Sequence, residues 1–214
     1  MGGETKLDFQ RALLVGVGYG LLAFGALSVT RFGATVESIW ICNALLVWAL
    51  TTARMGQWPL LVAASAIAHV VAHLVAGDAL PLTFAALVGD MSECLLAAYL
   101  LRRHQAALSF ATRACTFYFL LVCGLAAPLA SSIIVWAATW AVGAPLGLRE
   151  VSVWFSVDAL ALVLFLPIIS AIAQGRWRDL KGKFWRLAAA ERGVVERLLM
   201  AFAADPFYER RSRD

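Results

Sequence analysis

Residues 58–101 read WPLLVAASAIAHVVAHLVAGDALPLTFAALVGDMSECLLAAYLL, two long apolar stretches separated by the turn residues Gly77 and Asp78. Each stretch is long enough to cross about 30 Å of hydrocarbon as an α-helix. The short connection predicts that these two helices are antiparallel neighbours. Both carry ionisable side chains inside the apolar run, and such groups at membrane depth usually face the bundle interior and serve a function.

The rest of the chain follows the same pattern. Of its 214 residues 62% are hydrophobic and its mean hydropathy is +0.78, far above the roughly half apolar content of soluble domains. The predicted spans are Ala12–Thr30, Ser38–Ala53, Trp58–Ala76, Leu80–Leu101, Ala114–Val142 and Val151–Ala173. The fifth contains Pro128, where a kink is expected. The sequence therefore predicts an all-α, polytopic membrane bundle of about six transmembrane helices within residues 1–174.

Residues 175–214 have a different composition, in which basic residues alternate with apolar ones between Leu180 and Phe202. The apolar residues recur at helical spacing, which predicts an amphipathic cytoplasmic helix followed by a polar tail. Three roles stay open for this helix. It could lie on anionic lipid headgroups, extend the sixth span as a dimerising signalling helix, or dock a partner.

The orientation follows from the distribution of basic residues. One set of span ends carries Lys6, Arg11, Arg54, Arg102, Arg103, Arg113 and the basic tail, whereas the other carries only Arg31 and Arg149. By the positive-inside rule this predicts a multi-pass protein of the bacterial inner (plasma) membrane with both termini cytoplasmic. The net charge of +4 follows from the same bias, so no nucleic-acid partner is expected. Tryptophans near the span ends, Trp40, Trp58, Trp140, Trp154 and Trp177, are typical of an interfacial aromatic belt.

A set of polar residues inside the spans forms the predicted site. His69 and His73 are four residues apart on one face of the third span, and Asp90 and Glu93 are three apart on one face of the fourth. Counting about 1.5 Å per residue from the connecting turn places His69 and Asp90 within about a turn of the same depth. The same count from the outer ends of the second and sixth spans brings Asn43 and Asp158 to comparable depths. The predicted ligand-binding residues are Asn43, His69, His73, Asp90, Glu93 and Asp158.

The chemistry of this set leaves several interpretations open. Imidazoles and carboxylates suit a transition metal, histidine beside carboxylate suits a proton-coupled or pH-sensing site, and an outward-opening pocket suits a small polar or cationic solute. Alternatively, the side chains only join helix to helix through hydrogen bonds. The sequence identifies neither a metal nor a cofactor. Ser131 and Ser132 lack a nucleophile motif and no phosphate-binding loop follows a strand, so an enzyme is not expected.

Several fragments together resemble the MASE-type integral membrane-associated sensor domains, which in bacteria precede histidine kinases, diguanylate cyclases and phosphodiesterases. The fragments are Trp40 with Asn43–Leu46, Trp58 with Pro59, Gly89 and Asp90 with Glu93, Leu100–Arg103, and Asp158 followed by Pro167. The sequence departs from the family pattern at Ile41 and Cys42, which replace a proline-like turn, and at Ala44 and Ala161, where glycine is frequent. His69 and His73 are not part of the pattern and stand on the residue argument alone.

The resemblance implies a sensory or regulatory input module. A signal from outside or from within the membrane would change the packing of the spans, and the sixth span would pass the change to a cytoplasmic output domain or protein of two-component or cyclic-di-GMP signalling. The partners expected are the lipid bilayer, a small-molecule ligand, that output domain, and a second copy in a homodimer. The alternative is a small-solute-binding membrane subunit of a transporter, since such subunits have a similar length and topology.

Overall fold

A computed structural model describes residues 2–30, 40–104 and 112–175 of the chain. Within these ranges the regular elements are all helical. They are α1 Gly2–Thr30, α2 Cys42–Thr52, α3 Trp58–Val75, α4 Leu80–Arg103, α5 Arg113–Leu121, α6 Ala127–Ala141 and α7 Leu148–Ala173. A 3₁₀ turn, Met55–Gln57, precedes α3, and a π-helical segment, Val122–Ala126, joins α5 to α6. The prediction of an all-α membrane bundle is confirmed.

The number of spanning helices differs from the prediction. In the described part of the chain five helical stretches are long and apolar enough to cross a membrane: Lys6–Val29, Met55–Val75, Leu80–Arg103, Arg113–Ala141 and Leu148–Ala173. The predicted second span is instead the 11-residue helix α2, which covers only about 16 Å at 1.5 Å per residue. The correction has a local cause, because the backbone is not helical at Trp40 and the helix starts only after Ile41.

Two arginines hold the C-terminal end of α2. Arg11 of α1 donates to the carbonyl of Ala49 at 3.2 Å and to the hydroxyl of Thr52 at 2.7 Å. Arg102 of α4 donates to the carbonyls of Leu50, at 3.4 Å, and Ala53. Cations favour the C-terminal end of a helix because unpaired carbonyls and the helix dipole make it negative. The short helix is therefore anchored on both sides at this end of the bundle.

The helices pack closely where small residues face one another. A Cβ added to Gly16 of α1 would lie 3.0 Å from the Cβ of Ala64 on α3, and one added to Gly89 of α4 would collide with Val135 on α6. Such contacts let helix backbones approach closely, which is the main source of packing energy inside a membrane. Helix α2 lies against α1 and α4, and Leu46, Val47 and five other residues of α2 are buried.

Two prolines lie in the last helices. Pro128 follows the π-helical segment Val122–Ala126 by two residues. Because proline lacks an N–H and crowds the carbonyl four residues earlier, the wider π-helical turn at this place has a physical cause. Pro167 lies inside α7.

Chain contacts divide the protein into two units, Met1–Ser170 and Ala171–Asp214. Of the second unit the structure describes residues 171–175, which comprise the end of α7 and a turn at Gly175 with φ of +67°. The predicted amphipathic helix, the polar tail and Trp177 lie outside the described residues. So does the predicted start of the second span, Ser38.

Apolar side chains cover the outer faces of the long helices, among them Leu14, 74% exposed, and Phe117, 69% exposed. Large exposed apolar faces on helices of this length place the bundle in contact with a lipid bilayer. A groove of about 680 Å³ runs along α1 and α3 on this surface. It is lined by apolar residues and includes none of the six predicted site residues.

Candidate functional site

Asn43, the second residue of α2, is the centre of a buried polar network. Its Oδ1 accepts a hydrogen bond from the hydroxyl of Tyr19 on α1 at 2.9 Å. Its Nδ2 donates to Asp90 Oδ1 at 3.0 Å and to Glu93 Oε2 at 2.6 Å. One side chain thus joins three helices, and all four residues are 0% exposed. The late start of α2 makes this possible, since it places Asn43 at the depth of the α4 carboxylates.

Asp90 receives a second donor from the residues just before α2. Trp40 Nε1 donates to Asp90 Oδ2 at 3.0 Å, and His69 Nδ1 of α3 lies 3.4 Å from the same oxygen. Trp40 is only 4% exposed, so its expected place in an interfacial belt is wrong. A buried indole N–H needs an acceptor, and a carboxylate is the strongest one that this part of the bundle offers.

Asp158 brings α7 to the same place. It is 2% exposed and accepts a hydrogen bond on Oδ2 from Ser131 of α6 at 3.3 Å. Ser131 Oγ in turn accepts a bond from Trp154 Nε1 at 3.2 Å. Trp154 therefore also has an internal partner, in addition to the interfacial position predicted for it. A Cβ added to Gly89 would also lie only 3.3 Å from Ser131 Oγ. The close α4–α6 contact therefore helps to position this hydroxyl.

Asp90, Glu93 and Asp158 form what we call the carboxylate cluster. One oxygen from each lies within 4.8 Å of one oxygen from each of the others. In the described part of the chain these three residues are the only group of three or more histidine, cysteine or acidic side chains with such spacing. Three buried carboxyl groups this close repel one another unless protons, hydrogen bonds or a cation compensate.

His69 and His73 form a second feature, the histidine stack. Their rings lie face to face with centroids 4.3 Å apart and planes 29° apart. His73 Nδ1 is 2.7 Å from Asp78 Oδ2, in the turn after α3. The Nε2 atoms of both histidines are buried without a hydrogen-bond partner. The transition-metal interpretation gains no support here, since no third ligating side chain within the described residues joins the two imidazoles.

The six predicted site residues thus meet as follows. Asn43, Asp90, Glu93 and Asp158 come together around the carboxylate cluster, and His69 touches it from α3. His73 does not reach it, because its contacts are to His69, Asp78 and the ring of Trp40. Below, the six residues with Tyr19, Trp40 and Ser131 are called the polar core.

Sequence reasoning missed three members of the polar core. Tyr19 lies among apolar residues of the first span and carries no motif that points to Asn43. Ser131 was considered only as a nucleophile. Trp40 could have been found from the sequence, because it belongs to the same fragment as Asn43 in the resemblance described above. Its position near a span end favoured the interfacial interpretation instead.

A family model of MASE1, a membrane-associated sensory input domain, matches residues 11–204. The chain belongs to the MASE1 family. This confirms the resemblance drawn from the sequence, and the match extends past α7 through the predicted cytoplasmic helix. No match was found among curated proteins or among solved structures. The polar core is accordingly a feature of a MASE1 membrane domain, whose general role is sensory.

Proposed function

We propose that this MASE1 domain is a membrane-embedded input module that detects an extracytoplasmic or membrane signal in its polar core and relays it to a cytoplasmic output domain or partner. The observation that carries the proposal is the convergence of polar side chains from α1, α2, α4, α6 and α7 on the carboxylate cluster. Burial of ionisable groups at membrane depth is costly and is usually maintained for function.

The linkage between helices supports a relay. A ligand shifts a conformational equilibrium only by binding two helix arrangements with different affinity. The carboxylate cluster is suited to this, since α4 supplies two of its members and α7 the third. A ligand bound to these carboxylates therefore contacts both helices and can favour one arrangement of the two over another.

Helix α7 is the proposed transmitting element. Asp158 lies 15 residues before its end at Ala173, a distance of about 22 Å along the helix axis. Pro167 lies between them and removes one backbone hydrogen bond, which makes this stretch easier to bend. The segment from Leu180 to Phe202, outside the described residues, would then carry the change to the output.

The proposed location is the bacterial inner membrane with both termini cytoplasmic. The basic residues favour this orientation, and Arg11 and Arg102, both assigned to the cytoplasmic side, contact the same end of α2. We propose no catalytic activity for this chain, because the MASE1 family has a sensory role and the sequence carries no catalytic motif. The alternative of a transporter subunit has less support, since the family is sensory.

A fusion experiment tests the proposal. The full chain is joined at its C-terminus to a diguanylate cyclase domain and produced in bacterial cells, where cyclic-di-GMP is measured. We expect Asp90→Asn and Asp158→Asn to change cyclase output at least threefold while the protein level in the membrane stays the same. Glu150→Gln is the matched control, because Glu150 is an acidic residue of α7 outside the polar core.

Deletion of residues 180–202 from the same fusion should make the output insensitive to Asp90→Asn. Two results would contradict the proposal. One is wild-type output from both site variants, which would remove the polar core from sensing. The other is an unchanged response after the deletion, which would remove the transmitting role of that segment.

A further inference from the structure

Two members of the carboxylate cluster, Glu93 and Asp158, have only neutral donors among the described residues. Neither Glu93 nor Asp158 forms an ion pair with lysine or arginine in the part of the chain that the structure describes, and both are at most 2% exposed. Their hydrogen-bond donors are the neutral side chains of Asn43 and Ser131. Buried carboxylates generally require a charged partner, a proton or a metal ion.

Glu93 supplies a second, independent observation. Its Oε1 has no hydrogen-bond partner although the residue is 0% exposed. Such an acceptor is rare in a native interior, because its lost hydration is not replaced by a hydrogen bond. Asn43 cannot satisfy it, because both protons of its Nδ2 already serve Asp90 and Glu93 Oε2. An oxygen atom in the cluster is therefore available to a ligand that donates positive charge.

We propose that the carboxylate cluster of Asp90, Glu93 and Asp158 binds one divalent, oxygen-preferring cation of the Ca²⁺ type. The ligand atoms are carboxylate oxygens, which suit hard cations rather than the thiolate- or imidazole-preferring metals. Each carboxylate oxygen has two lone pairs, so oxygens that already accept a hydrogen bond can still coordinate.

Coordination geometry favours Ca²⁺ over Mg²⁺ at this cluster. Ca²⁺ accepts about six to eight oxygen ligands in a flexible arrangement, whereas Mg²⁺ demands near-ideal octahedral geometry and loses its bound water reluctantly. The cluster offers carboxylates from two helices whose oxygens lie within 4.8 Å of one another, a donor set that suits the more adaptable ion.

This inference rests on the proposed function for its meaning, because it names the ligand class of the sensory site, whereas cation binding itself is measured without any output. A bound cation would neutralise repulsion between α4 and α7 and tie the two helices at one point. Its arrival or loss would change their separation at the depth of Asp158, which is the movement that the relay requires.

The test uses the purified full chain in detergent micelles, freed of divalent cations with a chelator. Titration calorimetry with CaCl₂ should show one site per chain. Terbium, a luminescent substitute for Ca²⁺, should be sensitised by Trp40 or Trp154, which contact Asp90 and Ser131. We expect Glu93→Gln and Asp158→Asn each to weaken Ca²⁺ binding at least tenfold, Mg²⁺ to bind at least tenfold more weakly, and Glu150→Gln to bind as the wild type does.

Two results would overturn the inference: no stoichiometric Ca²⁺ binding by the wild-type chain, or unchanged affinity in both site variants. If a variant fails to fold, the wild type still decides, because Ca²⁺ must raise its thermal midpoint as a ligand of the folded state does. If the site variants alter cyclase output but the wild type does not bind Ca²⁺, the cation site is contradicted and the sensory role stands. If the wild type binds Ca²⁺ but the site variants leave the output unaltered, the cation site stands and the sensory role is contradicted.

Discussion

The carboxylate cluster and the histidine stack lie side by side but are built in opposite ways. The cluster joins residues from α4 and α7 and is held by donors from α2 and α6. The stack lies within α3, and its strongest contact is to Asp78, five residues further along the chain. The cluster therefore depends wholly on the tertiary fold and can report helix movement. The stack is set mainly by α3 and the turn that follows it, with added ring contacts to Tyr19 and Trp40.

Loss of Asn43 should have the largest effect, because this side chain holds the cluster together. Asn43→Ala removes two hydrogen bonds to carboxylates, each worth about 1.5–3 kcal/mol, so we expect unfolding to become easier by about 3 kcal/mol or more. The measurement is equilibrium unfolding in mixed micelles. Thr51→Ala on the same helix is the control, since Thr51 bonds only to the local carbonyl of Trp48.

A double variant sharpens this prediction. If Asn43 matters because of the carboxylates, adding Glu93→Gln to Asn43→Ala should cost less than the sum of the two single variants, since the buried acceptor is no longer a carboxylate. Simple additivity would show that Asn43 stabilises α2 independently of the cluster.

A change at Gly89 should have the second largest effect on stability, because this residue sets the separation of α4 and α6 beside the cluster. Gly89→Ala forces a Cβ into Val135, and overpacking of this kind costs about 1–3 kcal/mol. Gly25→Ala is the control, since a Cβ there has no heavy atom within 4 Å. The same unfolding measurement applies, and equal stability of the two variants would mean that the helices separate freely at Gly89.

Sequence reasoning predicted the contacts that depend on helical periodicity and short connections. The pairs of α3 and α4 were expected to share an interior because their members lie three or four residues apart and a short connection links the helices. The length of α2 could not be obtained in this way. Apolar composition indicates which residues tolerate lipid or a core, but it does not contain the contacts at the start of α2, such as the bond from Asn43 to Asp90, 47 residues away.

The partners of the cluster were missed for the same physical reason. Tyr19 reaches Asn43 at the place where Gly18 of α1 packs closely against Leu45 of α2, and no feature near Tyr19 in the sequence encodes that approach. The acidic residues were easier to find, since a carboxyl group is conspicuous within an apolar span whatever it contacts.

Trp40→Phe should have a smaller effect than the changes at Asn43 and Gly89. The variant keeps an aromatic ring in the core but removes the donor to Asp90 Oδ2, and one such bond is worth about 1.5 kcal/mol. Trp140→Phe is the control, because Trp140 is 61% exposed and fits the aromatic belt. Thermal midpoints of the two variants in the same detergent give the comparison, and equal values would return Trp40 to a belt role.

His73→Phe should have the smallest effect and so tests the comparison between the two regions. The variant keeps an aromatic ring against His69 and removes both the contact to Asp78, which is 18% exposed, and the unpartnered Nε2. Loss of a partly solvated pair costs about 1 kcal/mol or less, and removal of a buried unsatisfied atom offsets part of it. The free energy of unfolding, measured at equilibrium, should therefore stay within about 1 kcal/mol of the wild-type value. A loss as large as that of Asn43→Ala would mean that the histidine stack, and not the carboxylate cluster, organises the polar core.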